Sequence, residues 1–281
     1  MKVVLFCGGM GMRMREYSEA IPKPMVPVGY RPVLWNVMKY YAHYGHKDFV
    51  LCLGYKGDTI KNYFLNYNET LSNNFVMKNG GEKIVLQNSD IYDWTITFVD
   101  TGMKSNIGQR LKAVEKYLKG EDVFLANYAD GLTDFHLPTL IDYFTHTNKI
   151  AGFLSVRPNR SFHIVQMKNQ KNGLVQEIQG VVRADLWVNG GYFALKREIF
   201  DYIKEGEELV NEPFKRLIQQ EELVTYKYDG FWVGMETFKD KQQLDDMYVQ
   251  GDAPWEVWKK KEERSETIQL SRKNAHTEPV V

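Results

Sequence analysis

A glycine loop flanked by two permanent cations near the start of the chain has the residue types needed to bind phosphate. The apolar run Val3–Phe6, typical of a buried parallel strand, leads directly into this loop. The loop glycines are Gly8, Gly9 and Gly11. They permit positive φ angles and let backbone N–H groups approach phosphate oxygens, and Arg13 and Lys23 add positive charge beside them. For a glycine loop alone, a surface turn beside two solvated cations is the better interpretation.

The spacing of these glycines fits neither of two common nucleotide-binding motifs. A dinucleotide fingerprint would require a third glycine at position 14, where the chain has Met14. A Walker phosphate loop would require Gly-Lys-Ser/Thr after four spacer residues, which the sequence lacks here. The spacing therefore argues against a dinucleotide oxidoreductase and against a P-loop enzyme.

A carboxylate lies where a metal ligand is expected in an open α/β sheet. Asp130 follows the apolar run 123–128, which predicts a strand ending just before it. Ligands of such sheets gather at the carboxyl ends of the strands, and Mg²⁺ prefers one or two carboxylates plus phosphate oxygens. Asp130 is therefore a candidate Mg²⁺ ligand, with a turn or helix N-cap residue as the alternative.

The elements that must position these residues alternate between strands and helices along the first half of the chain. Apolar runs bounded by turn signals predict buried strands, and apolar residues at three- and four-residue spacing predict helices. The predicted strands are 49–53, 95–99, 123–128 and 150–156, and the predicted helices are 32–45, 59–67, 107–118 and 137–147. This order predicts a Rossmann-like α/β fold with a mixed, mostly parallel central sheet flanked by helices.

The second half has a different pattern, rich in strand-like runs and turn signals. Between residues 163 and 195 these signals, among them Asn172-Gly173, predict hairpins. Further helices are predicted at 197–204, 212–220, 238–247 and 255–261, and a strand at 223–228. The polar stretch 68–93 indicates a loop or small excursion, and the charged stretch 262–281 a flexible tail. We therefore predict one domain over residues 1–261.

Composition narrows the classes of partner. Lys plus Arg and Asp plus Glu both number 36, so the formal net charge is zero and no overall field favours nucleic acid or an anionic membrane. Cys7 and Cys52 offer neither a disulfide framework nor a metal cluster. The sequence shows neither a signal-peptide pattern nor an apolar run of about 20 residues, which predicts a soluble, cytoplasmic protein.

The glycine loop and the lysine that follows it also carry a family resemblance. The runs 8–14 and 22–25 resemble the signature of the sugar-1-phosphate nucleotidyltransferases, which join a nucleoside triphosphate to a sugar phosphate. Further stretches are most similar to the cytidylyltransferase members of that family, namely 34–35, 54–57, 99–102, 110–112, 189–191, 230–232 and 253–255. The resemblance implies a Mg²⁺-dependent transferase that acts on CTP and a sugar 1-phosphate such as glucose 1-phosphate, and that forms a homo-oligomer.

The resemblance also implies roles for individual residues. Arg13 would bind the leaving β and γ phosphates and Lys23 the α-phosphate, while Asp130 and Glu236 would hold the metal. The nucleotide would contact Gly8, Gly9, Gly11, Met12, Thr101, Gly102 and Arg110. The sugar phosphate would contact Asn189 and Gly190, with help from Tyr128. Where this chain departs from the family, Arg183 or a motif shifted to Glu177 would replace the family's sugar-phosphate lysine, and His163 would reshape the pocket and donate to a phosphate. The nucleotide-binding half would cover about residues 1–135 and the sugar-binding half about residues 136–261.

Four positions depart from the family pattern. Met12 replaces a threonine, Glu236 an aspartate and His163 a glycine, and Gly180 occupies the place of a lysine that holds the sugar phosphate. The changes at Met12, His163 and Gly180 keep two other interpretations open. The chain is then either a transferase with an atypical phosphorylated acceptor or a catalytically reduced homologue that binds nucleotide or sugar nucleotide as a sensor or partner subunit.

Overall fold

A seven-stranded sheet forms the centre of the molecule, here a computed structural model that describes residues 1–9, 21–158, 162–169, 172–181 and 185–259. The strands, in the order in which they neighbour one another, are β14 (Leu223–Tyr228), β10 (Ala151–Val156), β13 (Val188–Lys196), β8 (Val123–Asn127), β1 (Val3–Phe6), β4 (Asp48–Leu53) and β7 (Thr95–Asp100). Only β13 runs antiparallel to its neighbours among these strands. The predicted mixed, mostly parallel sheet is therefore confirmed.

Helices cover both faces of this sheet. They are α1 (Val33–His43), α2 (Gly57–Leu65), α3 (Ile107–Val114), α4 (Leu137–Thr147), α5 (Ile199–Tyr202), α6 (Glu212–Gln219) and α7 (Phe238–Val249). None of the helices in the described ranges is long and apolar enough to cross a membrane. Each predicted helix up to residue 247 has a counterpart here, although α5 is only four residues long.

Side chains that alternate in direction along β1 explain how the sheet packs between two layers of helices. Val3 and Leu5 point into the core that contains α1, α2, α4 and α7, whereas Val4 and Phe6 point into the core that contains α3, α5 and α6. All four side chains are at most 5% exposed. Burial of each such side chain stabilises the fold by about 1.5–3 kcal/mol, so a continuous apolar run is what a strand covered on both faces requires.

Four short two-stranded ribbons lie outside the central sheet. They are β2–β3 (Pro27–Val28 and Arg31–Pro32), β5–β6 (Phe75–Lys78 and Lys83–Leu86), β9–β15 (Gly131–Thr133 and Trp232–Gly234) and β11–β12 (His163–Met167 and Val175–Gly180). The last of these is a hairpin in the predicted hairpin-rich region. The ribbon β9–β15 was not predicted, because three-residue strands carry too few residues to show an alternating pattern.

The excursion predicted over residues 68–93 contains the hairpin β5–β6, and a buried charge cluster ties its base to the rest of the fold. Asp90, 7% exposed at its side chain, accepts hydrogen bonds from Arg31, Lys39 and Tyr67. Ser72 and Asn73 also donate to Asp90. Burial raises the pKa of Asp90, but these donors and the charge of Lys39 outweigh burial and hold that pKa below its usual value.

The helix predicted over residues 255–261 is wrong for the part of it that the structure describes. Residues 255–259 form successive turns, in which Glu256 N–H donates to Ala253 and Lys259 N–H donates to Glu256. Trp255 is fully buried and stacks on Phe231 with 5.8 Å between ring centroids. Anchoring of this side chain in the core overrides the local helical preference.

We expect Asp90→Asn to lower the free energy of unfolding by about 3 kcal/mol, because Arg31 would remain buried without its carboxylate. Urea unfolding at pH 7 measures this loss. Since the pKa of Asp90 is lower in the folded than in the unfolded protein, its contribution is complete above about pH 4 and disappears as the pH falls further. The matched control Asp93→Asn breaks an exposed ion pair to Lys47 and should cost under about 0.5 kcal/mol. Equal losses in both variants would contradict the role of Asp90.

Candidate functional site

The two oppositely charged residues singled out in the sequence meet at the carboxyl end of the sheet. Lys23 Nζ lies 2.5 Å from Asp130 Oδ2, and the two side chains are 16% and 24% exposed. Asp130 follows β8, and Lys23 begins a short turn flanked by Pro22 and Pro24. A contact between residues 107 positions apart thus joins the cation and the carboxylate predicted for phosphate chemistry.

The backbone around Asp130 is fixed on both sides. Asn127 Oδ1 accepts the Ala129 N–H at 2.7 Å, and Ala129 has a positive φ of 64°. On the other side, the Asp130 carbonyl accepts the Met235 N–H at 2.9 Å. The Asp130 carboxylate therefore projects from a rigid turn at the sheet edge, and no helix begins there, so the N-cap alternative for Asp130 is wrong.

The ribbon β9–β15 brings Glu236 next to this turn. Gly131 pairs with Gly234, so Asp130 and Glu236 leave the same end of the ribbon. Glu236 precedes the helix N-cap Thr237, and Asp240 is the first-turn acid of α7, so the alternative role of Glu236 as that acid is wrong. The described residues contain no group of three or more His, Cys, Asp or Glu side chains able to hold a metal. Two carboxylates at one end of a ribbon suit Mg²⁺, an ion that commonly takes one or two carboxylates and completes its ligands with phosphate oxygens and water.

A cavity of about 200 Å³ connects Glu236 with the predicted sugar site. Its lining includes Asn189, Trp232, Glu236 and Asp240. A larger cavity of about 1080 Å³ lies around the Asp90 cluster and contains none of the predicted site residues. Proximity to the Lys23–Asp130 pair, rather than size, makes the smaller cavity the relevant one.

Asn189 lies in a bulge of β13, not in the tight turn that was its alternative. The register between β10 and β13 shifts between Phe153 and Ser155, which pair with Phe193 and Asn189. The Asn189 side chain accepts the Gly191 N–H at 2.8 Å and donates to the Tyr128 hydroxyl at 3.2 Å. Such bulges re-aim side chains next to functional sites. Asn189 and Tyr128 are therefore held together by a direct hydrogen bond.

Tyr128 and Trp232 shape the part of the site around Asn189. Burial raises the pKa of Tyr128, so its hydroxyl stays protonated at neutral pH. Trp232 Nε1 donates to the Gly190 carbonyl at 2.9 Å. Trp232 belongs to a stretch that carried the family resemblance, but no role was predicted for it, because its contact with Gly190 depends on the ribbon β9–β15.

Arg110 lies beneath the glycine loop and is 2% exposed, so it is not the solvated helix residue that was its alternative. Its guanidinium donates to the carbonyls of Gly8 and Leu53 at 3.0 and 3.1 Å and to the Thr101 hydroxyl at 2.7 Å. These acceptors lie at the carboxyl ends of β1, β4 and β7. Burial lowers the pKa of Arg110, yet a guanidinium remains charged in proteins.

The same contact explains why position 8 must be glycine. A Cβ built on Gly8 would lie 2.0 Å from Arg110 Nη1, whereas a Cβ on Gly9 would meet no atom of the described residues within 4 Å. Gly9 and Gly102 are exposed, and Thr101 is buried. Of the predicted nucleotide contacts that the structure describes, only Gly9 and Gly102 are therefore exposed, while Gly8, Thr101 and Arg110 are buried.

The remaining predicted residues lie elsewhere or outside the described ranges. His163 and Glu177 are exposed on the hairpin β11–β12 and do not line the cavity beside Asn189. His163 pairs with Gly180, so two of the departures from the family pattern face each other across this hairpin. The predicted residues outside the described ranges are Gly11, Met12, Arg13 and Arg183, together with the predicted tail 262–281.

Comparison with known proteins identifies relatives along most of the chain. The model of the nucleotidyl transferase family matches residues 2–242. The glucose-1-phosphate cytidylyltransferase of Salmonella typhimurium is 36% identical over 260 residues, covering 92% of this chain and all of that protein. The probable glucose-1-phosphate cytidylyltransferase of Bacillus subtilis is 35% identical with the same coverage. The UTP-bound UGPase of Acinetobacter baumannii has a TM-score of 0.66 at 18% identity, covering 99% of both chains, which shows a shared fold.

We expect Gly8→Ala to lower the free energy of unfolding by about 2 kcal/mol, because the added methyl group displaces Arg110. Gly9→Ala is the matched control and should change stability by less than about 0.5 kcal/mol. Urea unfolding of both variants measures the difference. If the cause is the contact with Arg110, the loss at Gly8 disappears in an Arg110→Ala background. Equal losses at Gly8 and Gly9 would contradict this interpretation.

Proposed function

Because the chain belongs to the nucleotidyl transferase family, we propose that it joins a nucleoside triphosphate, CTP, to a sugar 1-phosphate such as glucose 1-phosphate, releasing pyrophosphate. It is a sugar-phosphate nucleotidyltransferase. The observation that carries the proposal is the contact between Lys23 and Asp130 at the carboxyl end of the sheet. Relatives at 35–36% identity over 92% of the chain support glucose 1-phosphate as the acceptor and CTP as the donor.

The reaction requires two anions to approach each other. An oxygen of the sugar phosphate forms a bond to the α-phosphorus, and the bond from that phosphorus to the pyrophosphate oxygen breaks on the opposite side. Lys23 would stabilise the charge on the α-phosphate, and Arg13 would bind the leaving pyrophosphate. The protein's contribution is positioning and neutralisation of charge.

Asp130 and Glu236 would hold Mg²⁺ in this proposal. When bound, the ion neutralises phosphate charge and orients the triphosphate. The fit rests on two carboxylates at one end of the ribbon β9–β15 and on the cation, Lys23, that already contacts Asp130. Both residues would act on the donor rather than on the sugar.

Each half of the chain would bind a different substrate. In the half up to about residue 135, Gly9 and Gly102 would receive the nucleotide, on a surface held from beneath by Arg110. In the half from about residue 136 to 261, Asn189 would contact the sugar beside Gly190, with the Tyr128 hydroxyl, which accepts a hydrogen bond from Asn189, at the sheet edge. Gly190 itself is buried, and a Cβ there would lie 3.0 Å from the Leu154 carbonyl oxygen and 3.1 Å from Val156 Cγ1, so glycine at this position allows the close packing of β13 against β10.

A catalytically reduced homologue is the second candidate. Gly180 replaces the lysine that would hold the sugar phosphate. It lies opposite His163 on an exposed hairpin. Met12 in place of threonine adds to this argument. Such a protein would bind CTP or a sugar nucleotide without turnover.

We also propose that the protein acts in the cytoplasm as a homo-oligomer. Cys7 and Cys52 are buried free thiols, which suits a reducing compartment. The hairpin β5–β6 exposes apolar side chains on both faces, and a second copy of the chain would cover them. Light scattering should give a multiple of 32.8 kDa, and the mass of a single chain would contradict self-association.

Purified protein with Mg²⁺, CTP and glucose 1-phosphate should release pyrophosphate and form CDP-glucose. The assay tests each of the four nucleoside triphosphates against a panel of sugar 1-phosphates, because the base and the sugar are set by contacts outside the reacting atoms. Pyrophosphate release from no pair would exclude the transferase. Calorimetric binding of CTP without turnover would then support the reduced homologue.

Two lysine variants make this assay specific to the site. Lys23→Ala should lower turnover by about 100-fold or more with the fold retained, since the lost charge acts on the transition state. Lys61→Ala removes an exposed lysine on α2 and should leave turnover unchanged. Unchanged turnover in Lys23→Ala would remove Lys23 from the reaction.

A further inference from the structure

The ammonium group of Lys23 lies against the proposed metal ligand Asp130, where a metal cation would otherwise bind. At 2.5 Å from Oδ2, it is close enough that a second cation cannot bind the same oxygen without strong repulsion. Both side chains are largely buried, so water screens this repulsion only weakly. Lys23 and a divalent ion therefore cannot use this oxygen of Asp130 together.

The main chain at Lys23 is restricted, whereas its side chain has rotatable carbon–carbon bonds. Pro22 and Pro24 restrict the main chain on both sides, and the Val26 N–H donates to the Lys23 carbonyl at 3.1 Å. The four-carbon side chain ends in a compact charge with freely rotating donors. Rotation of the side chain is thus the available response when another cation arrives.

We propose that Lys23 and the divalent cation compete for Asp130, so that entry of the metal releases the Lys23 ammonium to the triphosphate. This inference rests on the proposed metal-binding role of Asp130. Before the metal binds, Lys23 neutralises Asp130 and keeps this largely buried carboxylate from standing uncompensated. After the metal binds, the same lysine becomes available for the α-phosphate. The metal therefore controls when Lys23 becomes available.

The first test measures Mn²⁺ affinity without nucleotide, by the electron paramagnetic resonance signal of the free ion. Lys23→Met should bind Mn²⁺ about tenfold or more tightly than the unaltered protein, because the competing charge is gone. Asp130→Asn should lose this binding. Lys39→Met is the matched control, since Lys39 pairs with another aspartate, Asp90, at 3.3 Å. An unchanged affinity in Lys23→Met would overturn the proposal.

The second test needs no variant and separates release of Lys23 from a simple electrostatic effect. Reductive methylation of lysines, quantified by mass spectrometry, should modify Lys23 about threefold or more faster when Mn²⁺ is present, because an ammonium group that has left Asp130 is more accessible to the reagent than one held against this carboxylate. Lys39 should react at the same rate with and without Mn²⁺. A Lys23 rate that Mn²⁺ does not change would overturn the proposal even if Lys23→Met gained affinity.

These outcomes are distinguishable from failure of the transferase reaction. If pyrophosphate is released but Lys23→Met leaves the Mn²⁺ affinity unchanged, the proposed competition is contradicted and the transferase function is supported. If Mn²⁺ increases the exposure of Lys23 but no substrate pair releases pyrophosphate, the proposed competition is supported and the transferase function is contradicted.

Discussion

A buried guanidinium holds together the edge of the sheet on which the proposed donor site depends. Arg110 joins the ends of three neighbouring parallel strands through the carbonyls of Gly8 and Leu53 and the hydroxyl of Thr101. In the part of the chain that the structure describes, its hydrogen-bond acceptors are all neutral. The guanidinium therefore forms no ion pair through these hydrogen bonds, although Asp100 interacts with it electrostatically, and it contributes positive potential next to Gly8, where a triphosphate is proposed to bind.

Around the proposed acceptor residue Asn189, the hydrogen bonds are formed by neutral groups instead. Asn189, Tyr128 and Trp232 form hydrogen bonds that carry no net charge, and the bulge in β13 directs them. A site built from such groups can favour one arrangement of hydroxyl groups over another, because an unmatched polar group would remain buried and unpaired. Charge thus organises the donor half of the proposed site, and hydrogen-bond geometry organises the acceptor half.

Much of the sheet could be predicted from the sequence because its strands are continuous apolar runs. The strand predicted over residues 223–228 and the helix over 137–147 have those bounds in the structure. Lys23 and Asp130 were predicted to share one site, and they are in contact. The reason for Gly8 was missed, since its neighbour Arg110 lies 102 residues away in sequence and no local pattern reports that contact. The bulge at Asn189 and the ribbon β9–β15 were missed for the same reason, because both depend on pairing between distant segments.

The reversed strand β13 has a consequence for how the protein could close around its substrates. It pairs with β8 from the proposed donor half on one side and with β10 from the proposed acceptor half on the other. A hinge between the halves would have to break main-chain hydrogen bonds in the middle of the sheet, where both faces are covered by helices. The two halves therefore form one stiff plate, and any enclosure of the substrates falls to side chains and to segments that project from its edge.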